Sequence, residues 1–323
     1  MFIRSFAWQN NQQASRIQST PMALLNVFTN NLLPILLLSG AGFVLGRRLD
    51  LDSRPLGRVI FNILSPVLVF NLLTNSKLAI ASILLMMGYA ASIMLIVAGI
   101  ALGIGSLLRL DRSALTAVVL TSLFANNGNY GLPLISFAFG QEALAYASIY
   151  FITNSLLFYT IGVLIASLGH MRLKEALLGL LKVPTIYAII LAVIFIYTGW
   201  TLPAPFQKTV ELTAGGAVPA MLILLGLELQ KIEWTHNLRA LSIPVVCRLL
   251  IGPVIALGLA AVFGLNRTAR EDGIIDAGMP AAVMTTILAN EYNLDTSLIT
   301  AIVFISTILS PLTLTPLLYF LGK

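Results

Sequence analysis

The segment FANNGNYGLP, residues 124–133, places three asparagines, a tyrosine, two glycines and a proline in the middle of an apolar run that extends over 113–139. Gly128, Gly131 and Pro133 favour an interruption of the helix there. Backbone that is unwound at membrane depth is tolerated only when it is buried in protein or lines a wet cavity. The segment therefore predicts a broken membrane helix whose second half points free N–H groups at a cavity, as an anion site requires. The alternative is a kinked helix held to its neighbours by polar contacts.

The composition of the chain explains why this run is expected to lie in a membrane. Of 323 residues, 58% are hydrophobic and only 10% are charged, and the mean hydropathy is +0.93. A soluble domain needs a far more charged surface, so the chain is predicted to be an integral membrane protein without a soluble catalytic domain. The net charge of +6 is expected to reflect basic residues at cytoplasmic loop ends rather than nucleic-acid binding.

Ten apolar runs bounded by charged residues, proline or glycine are candidate membrane helices. Their approximate ranges are 24–46, 56–74, 78–107, 113–139, 142–168, 184–200, 206–230, 240–264, 272–290 and 295–320. Lysine and arginine are more frequent in the odd-numbered connections, for example between Arg47 and Arg58. Because basic loops stay in the cytoplasm, both termini are predicted to lie outside it, in a multi-pass protein of the plasma or inner membrane.

Prolines recur at similar positions in the two halves of the chain. The pairs, separated by 150, 153 and 147 residues, are Pro34 and Pro184, Pro66 and Pro219, and Pro133 and Pro280. Because five is an odd number, two copies of a five-helix unit would enter the bilayer from opposite sides, an arrangement typical of transporters. The predicted fold class is therefore all-α integral membrane, with ten transmembrane helices in two inverted five-helix repeats. The alternative is chance placement of the prolines.

The boundaries of the repeats follow from these spans. The first repeat is assigned to residues 22–168 and the second to 184–323, and residues 169–183 are predicted to form an amphipathic connector along the cytoplasmic interface. Residues 1–21 are polar, lack the apolar core of a secretory signal and are predicted to be a disordered tail. An equally good explanation is translation from Met22, with the preceding residues a start-site artefact.

The matching position of the second half again joins glycine to proline in mid-span, in the stretch DAGMPAA at 276–282. Two interrupted helices at matching positions of a repeat indicate a transport site near the membrane midplane. Asparagine suits such a site because its amide can donate to a carboxylate or offer oxygen to a cation.

Three segments resemble the auxin efflux carrier family of transporters: NNGNYGLPL at 126–134, KVPTIYAIIL at 182–191 and MPAAVMTTILANEYN at 279–293. The resemblance runs from about Met22 to the C-terminus. It implies ten helices in two inverted repeats, with discontinuous fourth and ninth helices that cross beside the substrate, and a scaffold next to a moving, elevator-like transport part. This fold is shared with bile acid/sodium symporters. It also implies a carboxylate substrate, since plant relatives carry auxin anions outward and bacterial relatives are associated with malate, malonate and similar acids.

The resemblance assigns substrate-binding residues to both crossing segments. They are Asn126, Asn127, Asn129, Tyr130, Gly131 and Pro133 on the first segment, and Pro280, Ala281 and Ala282 on the second. The resemblance assigns no role to Asp276, so it does not imply how transport is coupled.

Three further polar residues within the runs are candidates for a role in coupling. Arg248 would cost about 2.5–3.5 kcal/mol at the bilayer centre, so it is expected to reach the headgroups, to pair structurally or to attract the substrate. Asp276 either exchanges protons in the cavity or is solvated at a membrane face beside Asp272. Asn154 either completes a cation site with Asn127 or bonds a neighbouring helix.

The sequence therefore predicts a secondary transporter that carries a small organic anion across the lipid bilayer by alternating access. An enzyme is not expected, because the sequence offers no Ser/His/Asp set and no phosphate loop. No cofactor or metal is expected, because Cys247 is the single cysteine and His170 and His236 sit beside charged loop residues. A sodium-coupled bile-acid-type symporter and a non-transporting membrane receptor are the alternatives. Coupling to protons or sodium ions, and assembly as a homodimer, are left open.

Overall fold

The computed structural model of the chain describes residues 20–76, 78–167, 178–181, 183–230, 235 and 237–322. Within these residues the regular elements are helices, together with an isolated β-bridge between Ala125 and Ala281. Seven of the helices are long and apolar enough to span a membrane. The prediction of an all-helical, multi-pass membrane protein is thereby confirmed.

In chain order the helices are α1 (Pro21–Leu49), α2 (Ser53–Asn75), α3 (Ile80–Leu107), α4 (Arg112–Leu123), α5 (Asn127–Ala166), α6 (Pro184–Thr198), α7 (Ala204–Leu229), α8 (Leu238–Val262), α9 (Arg267–Ala277), α10 (Thr285–Glu291) and α11 (Thr296–Leu321). The seven long apolar helices are α1, α2, α3, α5, α7, α8 and α11. Helix α5 is kinked at Gly140, whose φ of 78° lies in the left-handed region that glycine adopts readily.

Short polar side chains begin five of these helices. Each accepts a hydrogen bond from a backbone N–H two or three residues further on, which satisfies a donor that the helix itself leaves free. They are Asp52, Asp111, Asn237, Asn266 and Asp295. These caps fix the starts of the helices at the polar connections between the apolar runs.

The described helices pack into two groups. The panel group consists of α1, α2, α6 and α7, in which α1 lies along α7 and α6 along α2. Gly42 of α1 and Gly226 of α7 permit a close approach, because a Cβ atom on either residue would overlap the backbone of the other helix. The crossing group consists of α3, α4, α5, α8, α9, α10 and α11, in which α9 packs against α5 and α8.

Two helix interruptions meet inside the crossing group. The gap between α4 and α5 lies beside the gap between α9 and α10, and the two extended segments run antiparallel. The backbone N–H of Asn126 donates to the carbonyl oxygen of Pro280 at 2.8 Å. The N–H of Ala282 donates to the carbonyl oxygen of Phe124 at 2.9 Å. Each break thus supplies hydrogen-bond partners for backbone groups of the other, which is what backbone at membrane depth requires.

Helix breaks are therefore present within 124–133 and 276–282, but the first lies at 124–126, and Gly128, Gly131 and Pro133, which were expected to interrupt the helix, are helical residues of α5. The fourth predicted run is divided between α4 and the start of α5, and the ninth between α9 and α10. The count of ten spans and the inverted relation of the two halves stay predictions. Most of the predicted tail, 1–21, and of the predicted connector, 169–183, lies outside the described residues.

Candidate functional site

Two side chains from outside the breaks hold the crossing in place. The amide nitrogen of Asn154 in α5 donates to the carbonyl oxygen of Ala125 at 3.0 Å. The hydroxyl oxygen of Ser306 in α11 accepts the N–H of Ala281 at 3.1 Å. Asn154 therefore bonds a neighbouring backbone, as one of the two alternatives for this residue expected.

A cavity of about 640 Å³ lies between the panel group and the crossing group. Its panel wall is formed by the first turns of α2 and the last turns of α7, and its other wall by the crossing, α5, α10 and α11. The polar and charged side chains on these walls include Arg54, Arg58, Asn62, Asn126, Asn129, Asn154, Glu228 and Asn290. The volume lies within the range of small-molecule pockets, which runs from about 300 to 1,000 Å³.

Four of the predicted site residues line this cavity, namely Asn126, Asn129, Asn154 and Ala282. The side-chain amide nitrogen of Asn126 and the side-chain oxygen of Asn154 are buried without a hydrogen-bond partner among the described residues. Buried polar atoms without a hydrogen-bond partner are destabilising unless a ligand or a water molecule forms the missing hydrogen bond. The crossing therefore holds an unused donor and an unused acceptor, both uncharged and both buried at this end of the cavity.

The other predicted residues of the crossing are buried and lie outside the cavity lining. They are Asn127, Tyr130, Gly131, Pro133, Pro280 and Ala281. The hydroxyl of Tyr130 accepts a hydrogen bond from Ser310 at 3.0 Å. The amide nitrogen of Asn127 donates to the side-chain oxygen Oδ1 of Asp276 at 2.9 Å and to its backbone oxygen at 3.0 Å. These side chains support the crossing on the side away from the cavity.

Arg248 of α8 also faces the crossing. Its side chain is fully buried and donates to the carbonyl oxygens of Met279 at 3.2 Å, Ser122 at 3.3 Å and Asp276 at 3.4 Å. A guanidinium group carries its five donors in a fixed fork, which suits several backbone acceptors at once. Arg248 is therefore paired structurally within the protein, and its side chain does not reach the surface where headgroups would lie.

Asp276 and Asp272 are fully buried on α9. Solvation at a membrane face, one of the two alternatives expected for Asp276, is therefore wrong. Asp272 was not among the predicted site residues. The signal that could have found it is the spacing of four residues from Asp276, which places both carboxylates on one face of a helix.

Two basic residues on the cavity wall were also not among the predicted site residues. Arg54 and Arg58 lie in the first turns of α2, where their charges were interpreted only as a sign of topology. Arg54 is largely exposed and lies 3.9 Å from the carboxylate of Asp52. Together with Glu228 on the facing wall, they give this part of the lining charged side chains of both signs. Among the described residues no cluster of three His, Cys, Asp or Glu side chains could hold a metal ion.

Comparison with known proteins gives one family and several relatives. The sequence model of a family described as membrane transport protein matches residues 27–318. An uncharacterised transporter of Methanothermobacter thermautotrophicus is 29% identical over 287 residues, which make up 87% of this chain and 94% of that protein. Auxin efflux carrier component 8 of Arabidopsis thaliana is 28% identical over 156 residues, which make up 46% of this chain and 42% of that protein. The expected resemblance to auxin efflux carriers is confirmed.

A second archaeal protein extends the comparison. An uncharacterised transporter of Methanocaldococcus jannaschii is 26% identical over 206 residues, which cover 62% of this chain and 67% of that protein. The matched family is one of membrane transporters and not of enzymes.

Proposed function

The chain belongs to the membrane transport protein family, and we propose that it is a secondary transporter of a small organic anion. The observation that carries this proposal is the cavity between the panel group and the crossing group. The paired helix breaks form one end of this cavity. The unpartnered side-chain nitrogen of Asn126 is suited to a carboxylate, because hydrogen bonds to a charged group are about twice as strong as neutral ones. Because the side chains at this end of the cavity carry no positive charge, the bound anion can also dissociate.

The proposed architecture is ten transmembrane helices in two inverted five-helix repeats, 22–168 and 184–323. The seven long helices supply seven spans, and the short or interrupted ones supply the rest: α4 with the start of α5, α6, and α9 with α10. In this count the connections after α1, α7 and α10 are the first, seventh and ninth, so all three must lie on one side of the membrane. Arg54, Glu228 and Asn290, which border these connections, line the same cavity. Their proximity supports the proposed count.

The basic residues of the first connection support a cytoplasmic position for this end of the cavity, with both termini outside. We infer that the panel group is the scaffold and the crossing group the moving part. Relative movement of the two groups would close this cavity and open another on the opposite side, since the cavity walls belong to different groups.

The proposed substrate class is a carboxylate of the size of malate, malonate or an auxin. A relative named as an auxin efflux carrier component supports this class. The volume of about 640 Å³ accommodates an acid of either size.

Counterflow in liposomes tests the proposal. Malate, malonate and indole-3-acetate are first compared for thermal stabilisation of the purified protein, and the stabilising acid is then used as the labelled substrate. Liposomes that are loaded with the unlabelled acid should take up the labelled acid, and Asn126→Ala should reduce this uptake. Asn75→Ala is the matched control, because Asn75 is exposed at the end of α2 and bonds Asn71. Binding without counterflow would instead indicate a receptor.

A further inference from the structure

Two carboxylates lie side by side on α9, behind the crossing and away from the cavity. Asp272 and Asp276 are both fully buried. Oδ1 of Asp276 accepts from Asn127 at 2.9 Å. Among the described residues, both carboxylate oxygens of Asp272 and Oδ2 of Asp276 have no hydrogen-bond partner. Three buried carboxylate oxygens without a donor are an unusual arrangement for ionised groups, because a buried charge needs several hydrogen bonds or a close counter-ion.

The groups around this pair do not neutralise two negative charges. From α3 and α5, Tyr89 and Tyr150 face both carboxylates, and from α8 Arg248 and its neighbour Cys247 complete the surroundings. Tyr89 donates its hydroxyl to the carbonyl oxygen of Ala256 at 2.8 Å. The tyrosines and the thiol are neutral at neutral pH. Arg248 therefore supplies one positive charge against two carboxylates.

Arg248 cannot relieve this imbalance through direct pairing. Its three hydrogen bonds, at 3.2 to 3.4 Å, are all to backbone carbonyl oxygens and not to a carboxylate. If both aspartates were ionised, the buried cluster would carry one uncompensated negative charge, which is strongly unfavourable in a low-dielectric interior. A single proton bound by one of the two carboxyl groups removes that charge and supplies a donor.

We propose that Asp272 and Asp276 form a two-carboxyl site that binds one proton and couples its movement to transport. The site takes its proton from water on one side of the membrane and releases it to water on the other, so that the protein is unchanged after a cycle. The coupling of the proton to transport rests on the proposed transport function. The binding of the proton does not depend on that function.

The surroundings favour a proton over a metal cation such as sodium. A metal ion would need several oxygen ligands, and the backbone oxygen of Asp276 is already occupied by donors from Asn127 and Arg248. The carbonyl oxygen of Met279 is likewise occupied by Arg248. The guanidinium group would also repel a second cation at such short range. A proton needs only one carboxylate oxygen and the neighbouring one as acceptor.

A hydrogen bond and the adjoining backbone connect the two-carboxyl site to the cavity. Asn127 bonds Asp276 and directly follows Asn126, whose backbone N–H is paired with Pro280 and whose side chain lines the cavity. Arg248 holds Met279, the residue before Pro280. Loss of the proton adds a negative charge that attracts Arg248 and repels the partner carboxylate, so it disturbs both strands of the crossing. The occupancy of the two-carboxyl site and the shape of the substrate seat are therefore linked.

Infrared spectroscopy tests proton binding without any transport substrate. The parent protein in liposomes should show the carbonyl stretching band of a protonated carboxylic acid at neutral pH. Asp272→Asn and Asp276→Asn should each lose this band, because the remaining carboxylate is then balanced by Arg248 and stays ionised. Asp50→Asn, the same substitution at an exposed position, should keep it.

A transport assay with labelled malonate tests the coupling. In the parent, a pH gradient with the acidic side outside should drive malonate accumulation. Asp272→Asn and Asp276→Asn should lose this accumulation and retain exchange of labelled for unlabelled malonate, which also demonstrates that the variants are folded. A general structural defect would reduce exchange as well.

Three results would overturn the inference: a parent without the protonated band at neutral pH, a band that persists in both asparagine variants, or a band that sodium removes at constant pH. Variants whose malonate accumulation still follows the pH gradient would remove coupling and leave proton binding intact. If the parent exchanges no malonate, the proposed function fails for this acid, and the infrared result alone decides on the proton site.

Discussion

Asn126 combines two features at the scale of a single residue: its backbone is fixed by the crossing, and its side-chain nitrogen has no acceptor in the described part of the chain. An anion in the cavity would supply that acceptor. We expect Asn126→Ala to weaken binding of the stabilising acid by about ten- to a hundredfold, since a hydrogen bond to a charged group contributes about 1.5–3 kcal/mol. Isothermal titration of the purified variant measures the change.

Asn127 provides the contrast, because its amide is committed to Asp276 and lies outside the cavity lining. Asn127→Ala should affect pH-driven uptake more than binding. Binding by Asn126→Ala within twofold of the parent would show that this asparagine only stabilises the crossing.

Arg248 shows how strongly one buried side chain can depend on its surroundings. Its guanidinium serves three carbonyl oxygens and balances the α9 carboxyl groups. We expect Arg248→Gln to lower the free energy of unfolding by about 3–5 kcal/mol, as measured for broken buried charge networks. Denaturation in detergent, followed by tryptophan fluorescence, measures the loss. Arg239→Gln, at an exposed position of the same helix, is the matched control and should be neutral.

The double variant Arg248→Gln with Asp276→Asn sharpens this test. Because both substitutions act on one charge cluster, their effects on unfolding should be less than additive. Full additivity would mean that Arg248 and Asp276 do not share a network.

At the scale of single residues, the sequence predicted which residues could bind an anion but not which residues lie close together in the fold. Asn126, Asn129 and Ala282 were predicted from a resemblance and do line the cavity. Arg54 and Arg58 were missed because the cavity is formed where two helix groups pack together. This packing joins residues that are far apart in the chain, so it cannot be predicted from local composition.

The seam between α1 and α7 is the clearest feature at the scale of helices. Gly226 has no room for a side chain, because a Cβ atom would overlap the backbone of Ser39 and Phe43. Gly226→Ala should therefore separate the helices and lower stability by about 1–3 kcal/mol. Gly215→Ala in the same helix is the matched control, since its Cβ would meet open space. Thermal unfolding of both variants in one detergent decides the comparison.

Equal stability of Gly226→Ala and Gly215→Ala would contradict the close packing of α1 on α7. Gly215→Ala is expected to be neutral or slightly stabilising, because alanine favours the helix by about 1 kcal/mol over glycine.

The segments that contain the two helix breaks were predictable, but the predicted cause holds for the second break only. Gly278 and Pro280 lie within the second break and act through their own backbone. The first break lies at 124–126, and Gly128, Gly131 and Pro133, which were expected to cause it, are helical residues of α5. The antiparallel hydrogen bonds between Asn126 and Pro280 were not predictable in the same way, because they join residues that are far apart in the chain. The kink at Gly140 within α5 was also missed, since a single glycine in an apolar run is compatible with a straight helix.

At the scale of the whole molecule, the cavity lies between two helix groups and has one charged end. Arg54, Glu228 and Asn290 surround that end. A transporter that alternates its access must close one side when the other is open. Under the proposed alternating access, we expect the present conformation to accept its substrate from the side on which these residues lie.

Cysteine labelling in cells tests this orientation. The positive-inside rule places the charged end in the cytoplasm, and Cys247 is buried, so it should not interfere. An impermeant maleimide applied to intact cells should label Thr201→Cys, in the exposed connection between α6 and α7, and Lys323→Cys. It should miss Asn290→Cys and Arg54→Cys until the cells are permeabilised. The reverse pattern would invert the proposed topology.

Substrate protection extends the labelling to the transport cycle. In permeabilised cells, malonate or another stabilising acid should slow the labelling of Asn290→Cys, because an occupied cavity excludes the reagent or closes towards the opposite side. Labelling of Thr201→Cys should not change, since this residue is not part of the cavity lining. If a stabilising acid leaves the rate at Asn290→Cys unaltered, then the cavity between the panel and crossing groups is not where that acid binds, and the substrate seat must be sought elsewhere in the membrane domain.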